Sequence, residues 1–477
     1  MDILLIEPPP TNRFGTMRQF GSIGTFKAKI TYPPIDLLKI AGSLRTIDRD
    51  SLVIDANSMH MPLGEVLEIV EKEGPRLVVF TTSTTAIMTD IIMANKIREL
   101  SKDVLIATFG AHVKGAPRQT LEDFECLDFV IYGDQEYVIR DLIQKDFDLA
   151  KIPGIYYRSK NEIFKNEMHP IIKNLDEYGI AAHDVIDSKL YVDPFAKQLP
   201  LTMTYGQTGC VNTCNYCMAQ LYNLRFRTIP HFVQELKFIE DLGFKEVFFI
   251  DCCFTSWFKW AHNLMDTIIE ESIDLSWWSL CRADRLDRDT LKKMKEAGAH
   301  SVGIGVESAN TDIIASIGKK VDTDWVLQLV EIAHEYGLRV LLYFQFGLPG
   351  ETEETMKQTL DYALKSKADL VTFGIATPVP GTLFWNYIEK NDYFVSEEIT
   401  SDWEKYDPVK RPVYDYPNLS GDRILEYSHK AYRKYYLRPS FILNRFLSQR
   451  SFHDIKNNVE NFMNFSKRYM RSEEALT

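Results

Sequence analysis

Several things are missing from this chain, and each absence removes a class of function. No run approaches the roughly 18 apolar residues that cross a bilayer, and the opening Met1-Asp-Ile-Leu-Leu-Ile reads as a strand without a charged leader, so a cytoplasmic location is expected. Excess positive charge is absent too: the net charge is -12, which argues against a nucleic-acid partner. Seven cysteines in 477 residues make no disulfide framework, and in a reducing compartment a thiol cluster points to metal or catalysis. No Gly-x-Gly-x-x-Gly follows the first strand, so a dinucleotide is not the expected guest there.

Three of the cysteines stand together in Tyr205-Gly-Gln-Thr-Gly-Cys210-Val-Asn-Thr-Cys214-Asn-Tyr-Cys217. A closed structural zinc site wants four ligands, usually two Cys-x-x-Cys pairs, and no second such pair exists. An iron–sulfur cube held by three thiolates keeps one iron open for another ligand. Cys210, Cys214 and Cys217 are therefore the expected metal ligands and the catalytic core.

Around them the chain divides into four stretches: 1–150, a connector over 151–199, a central domain over 200–395, and a helical extension over 396–477. The first alternates strands (Ile3–Glu7, Ser51–Asp55, Arg76–Thr81, Asp103–Phe109, Leu127–Tyr132) with amphipathic helices, the pattern of a doubly wound α/β sheet. Ligands of such sheets bind beyond the strands' carboxyl ends. The loops there are small or hydroxylated: Thr81-Thr-Ser83-Thr84-Thr85, Gly110-Ala-His112 and Gly133-Asp-Gln-Glu136. The connector lacks a regular period and is expected to lie over a surface, with His183 exposed to solvent.

The central stretch repeats the alternation, with strands at Leu201–Tyr205, Glu246–Asp251, Ser276–Arg282, Ser301–Glu307, Arg339–Phe346 and Leu370–Thr377. Six units suit a partial TIM-like barrel, whose chemistry collects at the strands' carboxyl ends. Asp251 there suits an ammonium group, Arg282 offers a planar fork to a carboxylate, and Glu307 with Ser308 suits a diol or an amine. In the tail, Lys430 to Arg471 holds ten Lys or Arg against two acids, with aromatics interleaved. That suits a helical cap on the barrel, contact with an anionic membrane surface or a lipid-like substrate, or a rim guiding an anionic substrate.

These motifs carry a resemblance. Cys210-x-x-x-Cys214-x-Tyr216-Cys217, Phe248-Phe-Ile-Asp251, Arg282-Ala-Asp284, Gly303-Ile-Gly-Val-Glu-Ser308 and Gly347-Leu-Pro-Gly350, in that order, resemble the radical S-adenosylmethionine (SAM) enzymes. The first stretch, with Pro33-Pro-Ile-Asp-Leu-Leu, Gly110-Ala-His112 and Tyr132-Gly-Asp-Gln-Glu136, resembles the cobalamin-binding Rossmann-like domain that precedes many of them. The resemblance is to the class that includes methyltransferases and the anaerobic Mg-protoporphyrin monomethyl ester cyclase.

It implies a 4Fe-4S cluster, SAM and cobalamin as cofactors, and an external reductant such as flavodoxin or ferredoxin. Tyr216, Asp251, Arg282, Glu307 and Ser308 would then contact SAM, and Ser83, Thr84, Gly110, His112, Gly133 and Glu136 the corrinoid. Cleavage of SAM to a 5′-deoxyadenosyl radical would precede methylation of an unactivated carbon. A ring-forming or rearranging enzyme, or a non-catalytic cobalamin or cluster sensor, is the alternative. Two departures stand out: Asp251-Cys252-Cys253 replaces the family's Gly-Gly-Glu, and no Asp-x-His-x-x-Gly offers a lower cobalt ligand.

Overall fold

The computed structural model describes residues 2–447 except 12–14, 19–29, 194, 401, 404, 407 and 409–410. Most of the basic, aromatic tail, read as a helical cap, a membrane or lipid contact or a rim for an anionic substrate, therefore lies outside the described residues.

The first sheet contains β1 (Ile3–Glu7), β2 (Leu52–Asp55), β3 (Leu77–Thr82), β4 (Leu105–Gly110), β5 (Phe129–Ile131), β6 (Ile155–Ser159) and β7 (Glu162–Lys165), in the order β2-β1-β3-β4-β5-β6-β7. From β2 to β5 all neighbours are parallel. Helices cover both faces, so β1 and β3 read as unbroken apolar runs, and every residue of both is buried. The spatial order reverses between β1 and β3, where an open α/β sheet parts to admit a ligand. Strands β6 and β7 add an antiparallel edge, so the expected connector begins as part of this sheet.

The rest of the connector is packed rather than draped. It runs against the helix Ile35–Arg45, where a Cβ on Gly42 would come within 1.8 Å of the Ile180 carbonyl oxygen. Ala182 N–H donates to the Leu38 carbonyl at 3.0 Å. His183 is fully buried rather than exposed. Its ring meets Thr202 Oγ1 at 3.1 Å and Glu235 Oε1 at 3.4 Å, in a buried ion-pair network that the linear sequence conceals.

The second sheet starts at β8 (Leu201–Thr204). A two-residue pairing, β9 (Gln207–Thr208) with β10 (Arg225–Phe226), brackets the cysteine loop. Then come β11 (Glu246–Phe249), β12 (Ser276–Arg282), β13 (Ala299–Glu307), β14 (Arg339–Phe346) and β15 (Leu370–Ile375). The six long strands lie in the order β15-β14-β13-β12-β11-β8 with parallel neighbours throughout, an open, partial barrel. The final described helices cap it. Ser428 Oγ, Tyr435 OH and Tyr436 OH donate to the carbonyls of Phe373, Ala368 and Val371 at 2.6–2.8 Å. These aromatics pack on β15, and Arg438 lies over the Tyr435 ring. No helix among the described residues is long and apolar enough to cross a membrane.

Candidate active site between the two sheets

The carboxyl ends of both sheets face a common cavity. From the first sheet come Gly110, Gly133 and Glu136; from the second come Tyr205, Gly209 and Cys252, with Lys39 of the helix Ile35–Arg45 between them. Gly110 has φ of 127°, and a Cβ there would meet the Thr82 carbonyl oxygen at 2.1 Å, so the backbone itself forms that wall.

The cysteine loop is held from outside as well as within. Asn215 N–H donates to the Ile317 carbonyl at 3.1 Å, and Phe384 N–H donates to the Asn215 carbonyl at 2.9 Å. Cys214 is buried, Cys210 and Cys217 half-buried, and none is in a disulfide. Arg282 Nη1 lies 3.8 Å from Cys214 Sγ. Burial pushes the Cys214 thiol up, while Lys319 and Arg282 oppose that by favouring the thiolate. Burial also holds Cys217 up at about 12. Among the described residues no three His, Cys, Asp or Glu side chains converge on the dimensions of a single metal ion. A three-thiol donor set with cations beside it fits an anionic iron–sulfur cube, whose sulfur ligands stand further apart.

The expected SAM residues are placed unequally. Asp251 is fully buried; its Oδ1 accepts from Gly206 N–H at 2.9 Å and Gln207 N–H at 2.8 Å, while Oδ2 has no partner. Burial raises it to about 7, against the pull of those two amides. One oxygen thus fastens the loop's root, and the other is a buried acceptor without a partner, which is costly. Glu307 ends β13 in a left-handed conformation (φ 70°) and pairs with Lys319 at 2.7 Å. Lys319 Nζ also donates to the Gly305 carbonyl at 2.8 Å. A Cβ on Gly305 would strike Glu307 Oε1 at 2.6 Å and Lys319 Nζ at 2.8 Å, so glycine leaves room for this pair. Tyr216 is held well above its usual value by burial and then by the Glu307 carboxylate beside it.

Two of the set are occupied otherwise. Arg282 already forms a two-pronged pair with Asp284, at 2.8 and 3.2 Å, so its fork is not free for a carboxylate, although one nitrogen faces Cys214. Ser308 is fully buried, meets Thr359 Oγ1 at 3.1 Å and accepts from Asn310 N–H at 3.1 Å, which makes it a packing and turn residue.

The corrinoid set divides as well. Gly110, Gly133 and Glu136 line the cavity, whereas Ser83, Thr84 and His112 do not. His112 is fully buried, with Nδ1 at 3.3 Å from Thr84 Oγ1 and its ring edge-on to Trp403 at 4.5 Å. Burial drives it down to about 3, so it stays neutral. It is a domain-contact residue, consistent with the missing lower-ligand motif.

Charged residues outside the expected set line the same space. Arg225 binds Asp134, with Nη2 to Oδ1 at 3.0 Å, and Lys114 donates to the carbonyls of Tyr132 and Gly133 at 3.0 and 3.2 Å. Lys39 is buried at 6% exposure with its ammonium 4.0 Å over the Tyr205 ring. Burial, then the Arg227 charge, lowers it to about 8. Asp36 is raised to about 6 by burial, and Glu136 to about 7 by burial and then by Asp134. An acid whose folded value is raised binds more protons folded than unfolded, so it costs stability as pH climbs from the ordinary carboxylate range to its folded value. Asp36→Asn is therefore expected to raise the thermal midpoint above pH 6 and to leave it nearly unchanged near pH 4. Melting curves across that range check it.

Residues 204–363 match the Radical SAM superfamily and residues 21–143 the B12 binding domain. The chain is 29% identical over 459 residues to an uncharacterized methyltransferase of Pyrococcus horikoshii, covering 95% of this chain and 96% of that one. It is 24% identical over 396 residues to the anaerobic magnesium-protoporphyrin IX monomethyl ester cyclase of a Synechocystis species (81% and 77%). Among solved structures, the cobalamin-dependent SAM radical enzyme OxsB superimposes with a TM-score of 0.71 at 12% identity (97% and 72%). The radical SAM methyltransferase TsrM of Kitasatospora setae superimposes with a TM-score of 0.66 at 18% identity (82% and 78%). The two domain matches, in this order on this pair of sheets, identify the chain as a cobalamin-binding radical SAM enzyme of the methyltransferase-like group, with a 4Fe-4S cluster, SAM and cobalamin as its cofactors.

Proposed function

We propose that this enzyme cleaves SAM reductively and methylates an unactivated carbon of a small-molecule or lipid-like substrate. The observation that carries the reading is the shared cavity: Gly209 and Cys252, on either side of the cysteine loop's root, open into the same space as Gly110, Gly133 and Glu136. A methyl carrier bound at the first sheet and a radical generated at the second would thereby meet over one substrate.

When bound, the cluster and SAM supply a 5′-deoxyadenosyl radical and the corrinoid supplies the methyl group. The protein's part is to bind, orient and exclude water. Cys210, Cys214 and Cys217 hold the cluster, with Arg282 and Lys319 offsetting its negative charge at Cys214. The free Asp251 oxygen would accept from the SAM amine, and Glu307 and Tyr216 would also contact SAM. The electron comes from an external reductant.

The test is anaerobic reconstitution with iron, sulfide and cobalamin, then incubation with SAM and reductant and mass spectrometry of the products. Equal S-adenosylhomocysteine and 5′-deoxyadenosine would support radical methylation. The likeness to ring-forming cyclases favours a second reading, in which 5′-deoxyadenosine forms without S-adenosylhomocysteine. Formation of neither compound would leave only the cofactor-sensing alternative.

A further inference from the structure

The two neighbouring cysteines after β11 have different surroundings. Cys253 is fully buried, with its thiol 3.8 Å from Thr255 Oγ1, and belongs to the packed interior. Cys252 is half-buried and lines the cavity beside Gly209, the residue just before Cys210. The ionisable groups close enough to act on its thiol include Cys217, Cys210, Asp251 and Cys253.

That placement is fixed by four hydrogen bonds. Asp251 Oδ1 accepts from the amides of Gly206 and Gln207, and Gln207 Nε2 donates to the carbonyls of Cys253 at 2.7 Å and Phe254 at 3.0 Å. Together they clamp residues 251–254 onto the root of the cysteine loop. At the same spot two fully buried acceptors, Asp251 Oδ2 and Gln207 Oε1, lack partners. A fourth thiol therefore stands beside the cluster loop, next to polar atoms that await a ligand.

We propose that Cys252 is an exchangeable fourth thiolate, bonding the iron left open by Cys210, Cys214 and Cys217 whenever SAM is absent. The inference rests on the reading of that loop as the cluster site. The exchange moves no electrons. The Cys252 sulfur–iron bond forms as the thiol loses its proton to water; SAM binding breaks it, the amine and carboxylate take the iron, and the thiolate regains a proton. Because Cys252 is tethered beside the iron, it competes at a high effective concentration and weakens apparent SAM affinity. In exchange it closes the cluster's most vulnerable corner while the enzyme waits for substrate.

The test uses full-length wild type, Cys252→Ala and Cys252→Ser, each reconstituted anaerobically with equal iron and sulfide contents confirmed. Each is exposed to mild ferricyanide oxidation without SAM, with the three-iron EPR signal as the readout. Wild type is expected to keep four irons, Cys252→Ala to lose one iron per cluster, and Cys252→Ser, which keeps an oxygen donor, to fall between them. A SAM titration followed by EPR is expected to give affinity about tenfold tighter in Cys252→Ala. Equal three-iron signals and equal SAM affinities in wild type and Cys252→Ala would overturn the proposal. A wild type that holds no four-iron cluster would overturn it together with the proposed function, which separates the two failures.

Discussion

Replacing Cys214 with alanine is expected to abolish cluster assembly and 5′-deoxyadenosine formation together, to background. Cys214 is the most buried of the three loop thiols and the one that meets Arg282 Nη1 at 3.8 Å. With sulfur gone, the Arg282 and Lys319 charges face a methyl group, and two thiolates are too few to hold a cube. Iron and sulfide analysis, the charge-transfer absorbance of the cluster and product mass spectrometry read the outcome. A variant that still makes 5′-deoxyadenosine would remove Cys214 from the site. The protein should remain folded, because Cys214 contributes little apolar volume and the loop keeps its backbone bonds to Ile317 and Phe384.

The second large effect concerns stability. Glu235 is fully buried on the helix Ile229–Asp241 and serves several donors at once. It pairs with Arg227 at 2.8 Å, accepts from Ala181 N–H at 3.0 Å and His183 Nε2 at 3.4 Å, and takes a bond from Thr204 Oγ1. Although burial alone would raise it, Arg227 and then Lys39 hold its carboxyl well below the usual range. Glu235→Ala leaves Arg227, at 1% exposure, as an uncompensated buried cation, and is expected to cost about 3–5 kcal/mol. Because a depressed acid stabilises the fold above its unfolded value, Glu235→Gln should match wild type most closely in strong acid, diverge as pH rises towards the ordinary carboxylate value of 4.5, and differ by a constant amount above it. Chemical denaturation at two pH values checks both statements. A loss below about 1 kcal/mol, the range of an exposed pair, would show that the network is not a unit.

The alternation of strands and helices made both sheets readable from the sequence, because parallel strands buried on two faces must be runs of apolar residues. The strand ends were readable for the same reason: Asp251, Arg282 and Glu307 follow such runs directly. What each end residue pairs with was not readable. Arg282 finds Asp284 two positions on, and Glu307 finds Lys319 across a helix and a turn, a partner that no motif announces. Ser308 shares a motif with Glu307, yet the left-handed turn at Glu307 sends it inward to Thr359. Lys39 hides among Leu37, Leu38 and Ile40, where period alone assigns it to the core. His183 misled in the opposite sense, since an aperiodic stretch looks like surface until its partners, Thr202 and Glu235, are brought to it by the fold. Even the cysteine pair at 252 and 253 is split by the bend that follows β11, which spacing does not reveal.

The two backbone bonds that brace the cysteine loop carry a consequence for how the protein is made. Strand order in the second sheet follows chain order, so each new strand can add to the last as it leaves the ribosome. The thiols are synthesised at the outset of this domain, but the carbonyl of Ile317 and the amide of Phe384 arrive more than a hundred residues later. A nascent chain therefore holds Cys210, Cys214 and Cys217 on a loop secured at its root alone. The Ile317 bond can close before β14 is made, whereas the Phe384 bond closes only after β15. The loop's bracing is thereby completed in two steps, set by the strand order of one sheet.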